Sequence, residues 1–345
     1  ARKRLLNDFM INYLIRRFFW IVPVILIVTL VVFSVSRILP GNPVYLILGN
    51  QQASQEAIDR LTSKMGLDKP ISTQYLMYLK DLSQGDFGDA WHTGNPVSVD
   101  LKARFPATLE LALASLFLAI IIGIPLGVFS SVYLNSIWDH LIRLFGFVGL
   151  SIPSFWLGLV LSYLLAFNLE LLPPPIGRIG FSFAPPDNVT GLYLIDSLLE
   201  GNFKAFKSSL SYIILPALTL ALGQIAGIAG IVRSSMIDAL NSDYIRTSYA
   251  YGVHPYKIYF KYALKNAMIP TTTYIGNGML WLLGGVVVIE YVFAWPGLGL
   301  YAMDCIFVKD YNGVQGVALV LAASSVIVYV IIDILYLFFD PRVKF

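Results

Sequence analysis

Three carboxylates stand where carboxylates are expensive. Glu110, Glu290 and Asp333 fall inside long apolar stretches. A charge held in hydrocarbon must replace its hydration with partners, so each is a candidate functional group. Glu110 and Glu290 lie near the ends of their stretches, within reach of water, and Glu290 is a candidate for a solute pathway. Asp333 lies deeper, where pairing with a neighbouring helix is expected. No basic residue accompanies them in those stretches, which argues against a proton relay. Other chemistry-bearing residues are sparse. The single cysteine, Cys305, allows neither an intrachain disulfide nor a cysteine metal cluster. His92, His140 and His254 are scattered, whereas a metal site needs clustered ligands. No G-x-x-x-x-G-K-[ST] phosphate loop occurs, and no nucleophile elbow or catalytic carboxylate pair stands out. These residue types point to passage or coupling and not to bond-making.

The second half of the chain has one long polar interruption, DYIRTSYAYGVHPYKIYFKYALKNAMIP over residues 243–270. Ser242 is positioned to cap a short helix over residues 243–251, its hydroxyl accepting from an orphan amide of the first turn. Gly252 ends that helix by taking the left-handed conformation. His254-Pro255 restarts the chain with proline at the first helical position, where a missing N–H costs nothing. In the second helix Lys257, Lys261 and Lys265 recur every fourth residue on one face, with Phe260, Ala263, Leu264 and Ala267 opposite. Pro270 closes the unit. One reading is a solvated loop drawn to anionic lipid, since basic loops commonly flank membrane spans.

These elements belong to a membrane protein. Of 345 residues 57% are hydrophobic and 13% charged, against roughly 25% charged in a soluble domain. A net charge of +3 gives no reason to expect nucleic acid. Arg2, Lys3, Arg4, Arg16 and Arg17 precede the first apolar run, which favours a cytoplasmic N-terminus over residues 1–17. That run, 18–36, has the ~20 residues that cross a bilayer and reads as a span, not as a signal peptide. Further spans are expected at 107–133, 144–167, 215–236, 271–293 and about 314–339. The result is an all-α polytopic chain of six transmembrane helices, with both termini cytoplasmic.

The first external segment, to residue 106, holds two expected helices, capped by Ser54 and by Ser72. The third span is interrupted by Ser151-Ile-Pro-Ser154. A break within lipid is tolerated where helices, side chains or water satisfy the freed backbone groups, so Ser151, Pro153 and Ser154 are candidates for a pathway wall. A packing kink is the alternative. Gly223, Gly227 and Gly230 suit a tight helix seam.

Ala250, Gly252, Ile258 and Ile269-Pro270 resemble the cytoplasmic signature loop of binding-protein-dependent ABC importer permeases. DYIRT, the following A-x-G and ALKNAMIP are similar to the dipeptide/oligopeptide/nickel branch. PGNP at 40–43, MGLDKP at 65–70, GDFG at 85–88, RFPATLELAL at 104–113, SIPSFWLG at 151–158 and VVVIEYVFAWPGLG at 286–299 carry the likeness in order along almost the whole chain. Ser248, Tyr249 and Ala250 stand where the wider superfamily usually shows Glu-Ala-Ala.

The resemblance implies a type I ABC importer permease fold: residues 18–106 as first span plus structured external loop, and 107–345 as a five-helix core with a coupling loop at 237–270. It implies that Tyr244, Ile245, Arg246, Ser248, Tyr249, Ala250 and Gly252 meet an ATPase. It implies partners: a second homologous permease in a heterodimer, two cytoplasmic ATP-binding subunits that hold ATP and Mg, and an extracytoplasmic solute-binding protein. The chain itself needs no cofactor and is not an enzyme. The expected activity is import of di- or oligopeptides through the cell (inner) membrane. Oligosaccharide, nickel or glutathione are alternative solutes. An ATP-independent secondary transporter is the alternative of another class, and it leaves the 243–270 loop unexplained.

Overall fold

The computed structural model describes residues 22–38, 44, 54–64 and 66–339. The basic N-terminal residues and the PGNP motif lie outside that range, as does the Asp333 side chain. The described residues are helical and contain no strand longer than an isolated bridge.

The chain forms two units, 1–105 with 301–326, and 106–300 with 327–345. In the first, α1 (Val22–Ile38) is apolar. It is followed by α2 (Gln55–Lys64) and α3 (Ile71–Ser83). Ser54 accepts from the Ala57 amide as expected. Ser72 does not cap. Helix α3 starts two residues earlier than that cap would place it, after Pro70, whose fixed φ of −56° suits a helix entry. The polar segment after α3 is tied down by carboxylates. Asp310 accepts from the His92 amide at 3.0 Å, and Asp100 accepts from Thr93 and Asn95 side chains.

The second unit is built around α8. Helix α4 (Val97–Val132) begins in the first unit and continues here. Helix α5 (Ile137–Ser151) and α6 (Ser154–Leu161, with a π-helical extension over Ser162–Asn168) form a pair bent by 108°. The third expected span is thus broken at its Ser151-Ile-Pro-Ser154 interruption. Ile152 is extended (φ −86°, ψ 129°), because a residue before proline is pushed out of the α region. Ser136 caps α5, accepting from the Asp139 amide. Short α7 (Tyr193–Leu199) precedes α8 (Phe203–Leu240).

Helix α9 (Asp243–Ala250) is followed by α10, a continuous helix over Pro255–Val292 with a π-helical stretch at Ile258–Ala263. Pro270 does not end the unit. It lies inside α10, where Thr271, Thr272 and Thr273 hydroxyls donate to the carbonyls four residues back. Helix α11 (Leu298–Phe307) has no counterpart in the sequence-based assignment, and α12 (Tyr311–Phe339) closes the chain.

Helices α4, α8, α10 and α12 are long and apolar enough to cross a membrane, and the α5–α6 pair qualifies if counted as one span. Two apolar clusters fill the second unit. One gathers Leu111, Leu215, Leu220, Leu282, Ile289, Phe293 and Trp295; the other gathers Ile225, Ile228, Val232, Met236, Ile245, Ile258 and Ala263. Gly127 makes the α4–α8 approach possible, since a Cβ there would sit 2.6 Å from Val232 and 2.7 Å from the Ala229 carbonyl.

Candidate functional site

Helix α9 is short, and one buried apolar side chain seats it. Ile245 is fully buried among Met236, Ala239, Ile258 and Ala263, while Tyr244, Tyr249 and Tyr251 are exposed. Burying such a side chain contributes about 1.5–3 kcal/mol. The Ser242 hydroxyl bonds the Ala239 carbonyl instead of capping α9. The C-terminus is better held. Gly252 sits at φ +70°, its amide donates to the Tyr249 carbonyl (2.9 Å), and the Val253 amide donates to the Ser248 carbonyl (3.1 Å). That is a Schellman closure, satisfying two carbonyls that the helix end would orphan. His254 Nδ1 then accepts from the Tyr256 amide, with Pro255 in the first turn of α10.

The remaining predicted residues of this segment are presented outward or spent locally. Arg246 pairs with Asp243 at 3.5 Å, but both are exposed, so the pair adds little. The Ser248 hydroxyl donates to the Tyr244 carbonyl, and the Tyr244 hydroxyl accepts from Asn266 of α10. A hydrogen bond with Tyr259, and then partial burial, push the Tyr249 phenol up to about 12, so it stays neutral at physiological pH. Ala250 is exposed and ends α9. Lys257, Lys261 and Lys265 are exposed as expected, and Ala263 and Ala267 are buried. Phe260 is 46% exposed, and Ile258 takes the buried place. The π-helical stretch shifts the face there by one residue.

The second group of predicted residues divides. Pro153 and Ser154 line an open cavity of about 650 Å³ between the α5–α6 bend, α8 and α10, together with Thr219, Gln224, Asn277 and Trp281. Ser151 is not among the lining residues, although Leu150 and Ile152 on either side of it are; its hydroxyl donates to the Phe147 carbonyl. Glu290 is elsewhere. It is fully buried, accepting from Thr108 Oγ1 (2.6 Å) and from the amides of Gly299 (2.7 Å) and Leu300 (3.1 Å). Its carboxylate thus meets the positive N-terminal end of α11. Glu110 does not simply reach water either. It forms a buried pair with Arg178 at 2.5 Å and accepts from the Leu194 amide. Arg178 also donates to the Gly191 carbonyl and lies over the Tyr193 ring.

Sequence reasoning also passed over Asp139 and Arg233. Asp139, fully buried on α5, accepts from Arg233 of α8 through Nε (2.7 Å) and Nη2 (2.9 Å), from Ser130 Oγ of α4 (2.5 Å) and from the Asn135 amide. The local signal was a charged pair flanking two apolar runs, which gives no register between them.

The chain was compared with known proteins. Residues 123–345 match the family "Binding-protein-dependent transport system inner membrane component", and residues 10–112 match its N-terminal membrane component. The chain is 43% identical to the probable D,D-dipeptide transport system permease protein DdpB of Escherichia coli K12, over 92% of each chain. It is 39% identical to the dipeptide transport system permease protein DppB of Alkalihalophilus pseudofirmus, over 97% of this chain and all of that one. It is 37% identical to the oligopeptide transport system permease protein AppB of Bacillus subtilis, with the same coverage. A chain of the MetNI methionine ABC transporter superposes with a TM-score of 0.49 at 18% identity, covering 68% of this chain and 93% of that one. With family models matching along most of its length and apolar helices in series, the chain belongs to the inner-membrane permease components of binding-protein-dependent ABC importers.

Proposed function

We propose that this permease imports di- or oligopeptides, that it pairs with a second, homologous permease, and that two cytoplasmic subunits binding ATP and Mg drive it through α9. The solute arrives on an extracytoplasmic binding protein. The observation that carries the coupling reading is the build of α9: one buried anchor, Ile245, a Schellman closure at Gly252, and three outward tyrosines. A helix held in this way passes a push on its exposed face into the α8–α10 core without first deforming. The solute reading rests on the dipeptide and oligopeptide permeases that the chain resembles along most of its length. The cavity beside Pro153 and Ser154 is the proposed wall of the solute path.

The test is purification of the tagged chain from its native membrane, followed by reconstitution and dipeptide uptake. The expected result is co-purification of two kinds of P-loop subunit or two copies of one, a second permease, and uptake that requires both ATP and the binding protein. A chain that purifies alone and moves solute without ATP contradicts the proposal.

A further inference from the structure

The first unit contains a small polar cavity that the transport reading leaves unused. Its volume is about 230 Å³. Two buried polar atoms face no protein partner there. Gln74 is 9% exposed, and its Nε2 donates to the Leu67 and Lys69 carbonyls, which fixes the amide and leaves Oε1 unmatched. The Tyr78 hydroxyl is the other unmatched atom. A buried polar atom without a partner costs about 1–3 kcal/mol, so an acceptor and a hydroxyl unmatched in one cavity point to an occupant. The walls add charge and aromatic faces: the carboxylates of Asp81 and Asp86, the Arg37 guanidinium at the end of α1, which lies over the Phe33 ring, and the rings of Phe87 and Trp91.

This chemistry specifies the ligand. Gln74 Oε1 can only accept, so the group beside it must carry an N–H or O–H. Two carboxylates and several ring faces favour a cation. Arg37, a single guanidinium, suits an anionic oxygen such as a phosphate. A primary ammonium joined to a phosphate meets all three requirements. A trimethylammonium brings no N–H for Gln74, and an uncharged glycerol headgroup brings no cation for Asp81 and Asp86.

What holds the rest of that ligand is next door. A second cavity, about 200 Å³ and almost wholly apolar, is lined by Ile25, Val28, Leu82, Leu319, Val320 and Ala323. Phe87 forms a wall of both cavities. Helix α1 runs from the polar one (Arg37, Phe33) to the apolar one (Val28, Ile25), and α12 likewise runs from Asn312 and Gln315 to Leu319 and Ala323. Arg37 and Ile25 are twelve residues apart, roughly 18 Å along a helix, the scale of an acyl chain. We infer that this unit binds an ethanolamine phospholipid, headgroup against Gln74, Asp81, Asp86 and Arg37, with one acyl chain in the apolar slot beside Phe87.

The experiment uses the complete transporter, stripped of lipid in detergent. Dioleoyl phosphatidylethanolamine, phosphatidylcholine or phosphatidylglycerol is added back, and bound lipid is read by native mass spectrometry and thermal shift. The expected result is preferential retention of the ethanolamine lipid, weakened roughly tenfold in the Asp81→Asn/Asp86→Asn double variant, the loss expected for a charge-assisted contact. Both aspartates are exposed at the cavity rim, so the variant should fold, and Gln74→Leu provides a second check. Equal retention of all three lipids, or unchanged retention in the double variant, overturns the inference. Displacement of the lipid by millimolar glycylglycine but not by lipid competitors would overturn it too, because the cavity would then be a solute site.

Discussion

Arg233 and Asp139, 94 positions apart, meet in a two-pronged pair at 2.7 and 2.9 Å, with the carboxylate fully buried. Ser130 of α4 donates to the same carboxylate. One side chain thus joins three helices of the second unit, and Arg143, one turn further along α5, lies 3.7 Å from the same carboxylate. Removing Arg233 leaves the buried carboxylate with only the half-exposed Arg143, so the cost falls below the roughly 3–5 kcal/mol of a fully stranded buried charge.

Arg233→Ala is therefore expected to lower the unfolding temperature of the purified transporter, or its abundance in the membrane, more than Arg233→Lys does. Lysine keeps the charge but not the fork. The loss in Arg233→Ala/Asp139→Asn should be smaller than the sum of the two single losses, as coupling requires. Additive losses in a double-mutant cycle would show that the pair contributes nothing of its own.

Glu290 holds the first turn of α11 and does not line the cavity beside Pro153. Glu290→Gln keeps the shape and removes the charge, and it should cost about 1–3 kcal/mol of stability. In correctly folded transporter, solute preference should be unchanged. Uptake competition among peptides reads this: a changed order of preference would place Glu290 on the solute path after all. Gln224 and Asn277, which do line the cavity, should show the opposite pattern, with altered preference at little loss of stability.

Helices α8 and α10 touch at Gly227 and Tyr274. A Cβ on residue 227 would lie 1.8 Å from the Tyr274 hydroxyl. Gly227→Ala should be severely impaired in expression and uptake, and Tyr274→Ala in the same chain should restore much of both by removing the obstructing ring. Failure of the second substitution to rescue would mean that the glycine serves something other than that contact.

The pattern of these residues explains what could be read in advance. Helix α9, the turn at Gly252, Pro255 at the head of α10 and the exposed lysine row are local, set by residues within one or two turns of each other, and they appear where spacing placed them. The family likeness, spread over separate motifs, identified the fold class for the same reason. What escaped was set at a distance. Arg178 finds Glu110 across 68 positions and Thr108 finds Glu290 across 182, and no periodicity encodes such meetings. Helix α11 was missed because its start is held by Glu290 and Thr108 from outside the helix. Pro270 reads as a terminator from its own chemistry, whereas the packing of α10 against α8 carries the helix through it. Ser242 shows the reverse error: a good capping residue had a nearer carbonyl at Ala239 to satisfy.

Gly252 isolates the backbone contribution to coupling. A Cβ there meets nothing within 4 Å, so Gly252→Ala costs only the left-handed conformation, about 1–2 kcal/mol. Gly252→Asn, a residue that tolerates that conformation, should be milder. Uptake per ATP hydrolysed should follow the order glycine, asparagine, alanine; equal ratios would mean that the turn does not set the position of α9.

The central claim is that α9 carries the movement of the ATPases into the membrane core, and Tyr249→Asp tests it most directly. Tyr249 is 46% exposed and its tie to α10 is a hydrogen bond with Tyr259, not a buried apolar contact, so the variant should assemble at the cell membrane. The measurement is ATP hydrolysis and dipeptide uptake by the same reconstituted complex, with binding protein present. The account predicts that uptake falls at least tenfold while the ATPases either hydrolyse ATP without transport or no longer co-purify. Uptake and hydrolysis that both remain at wild-type levels, with the ATPases still bound, would contradict it.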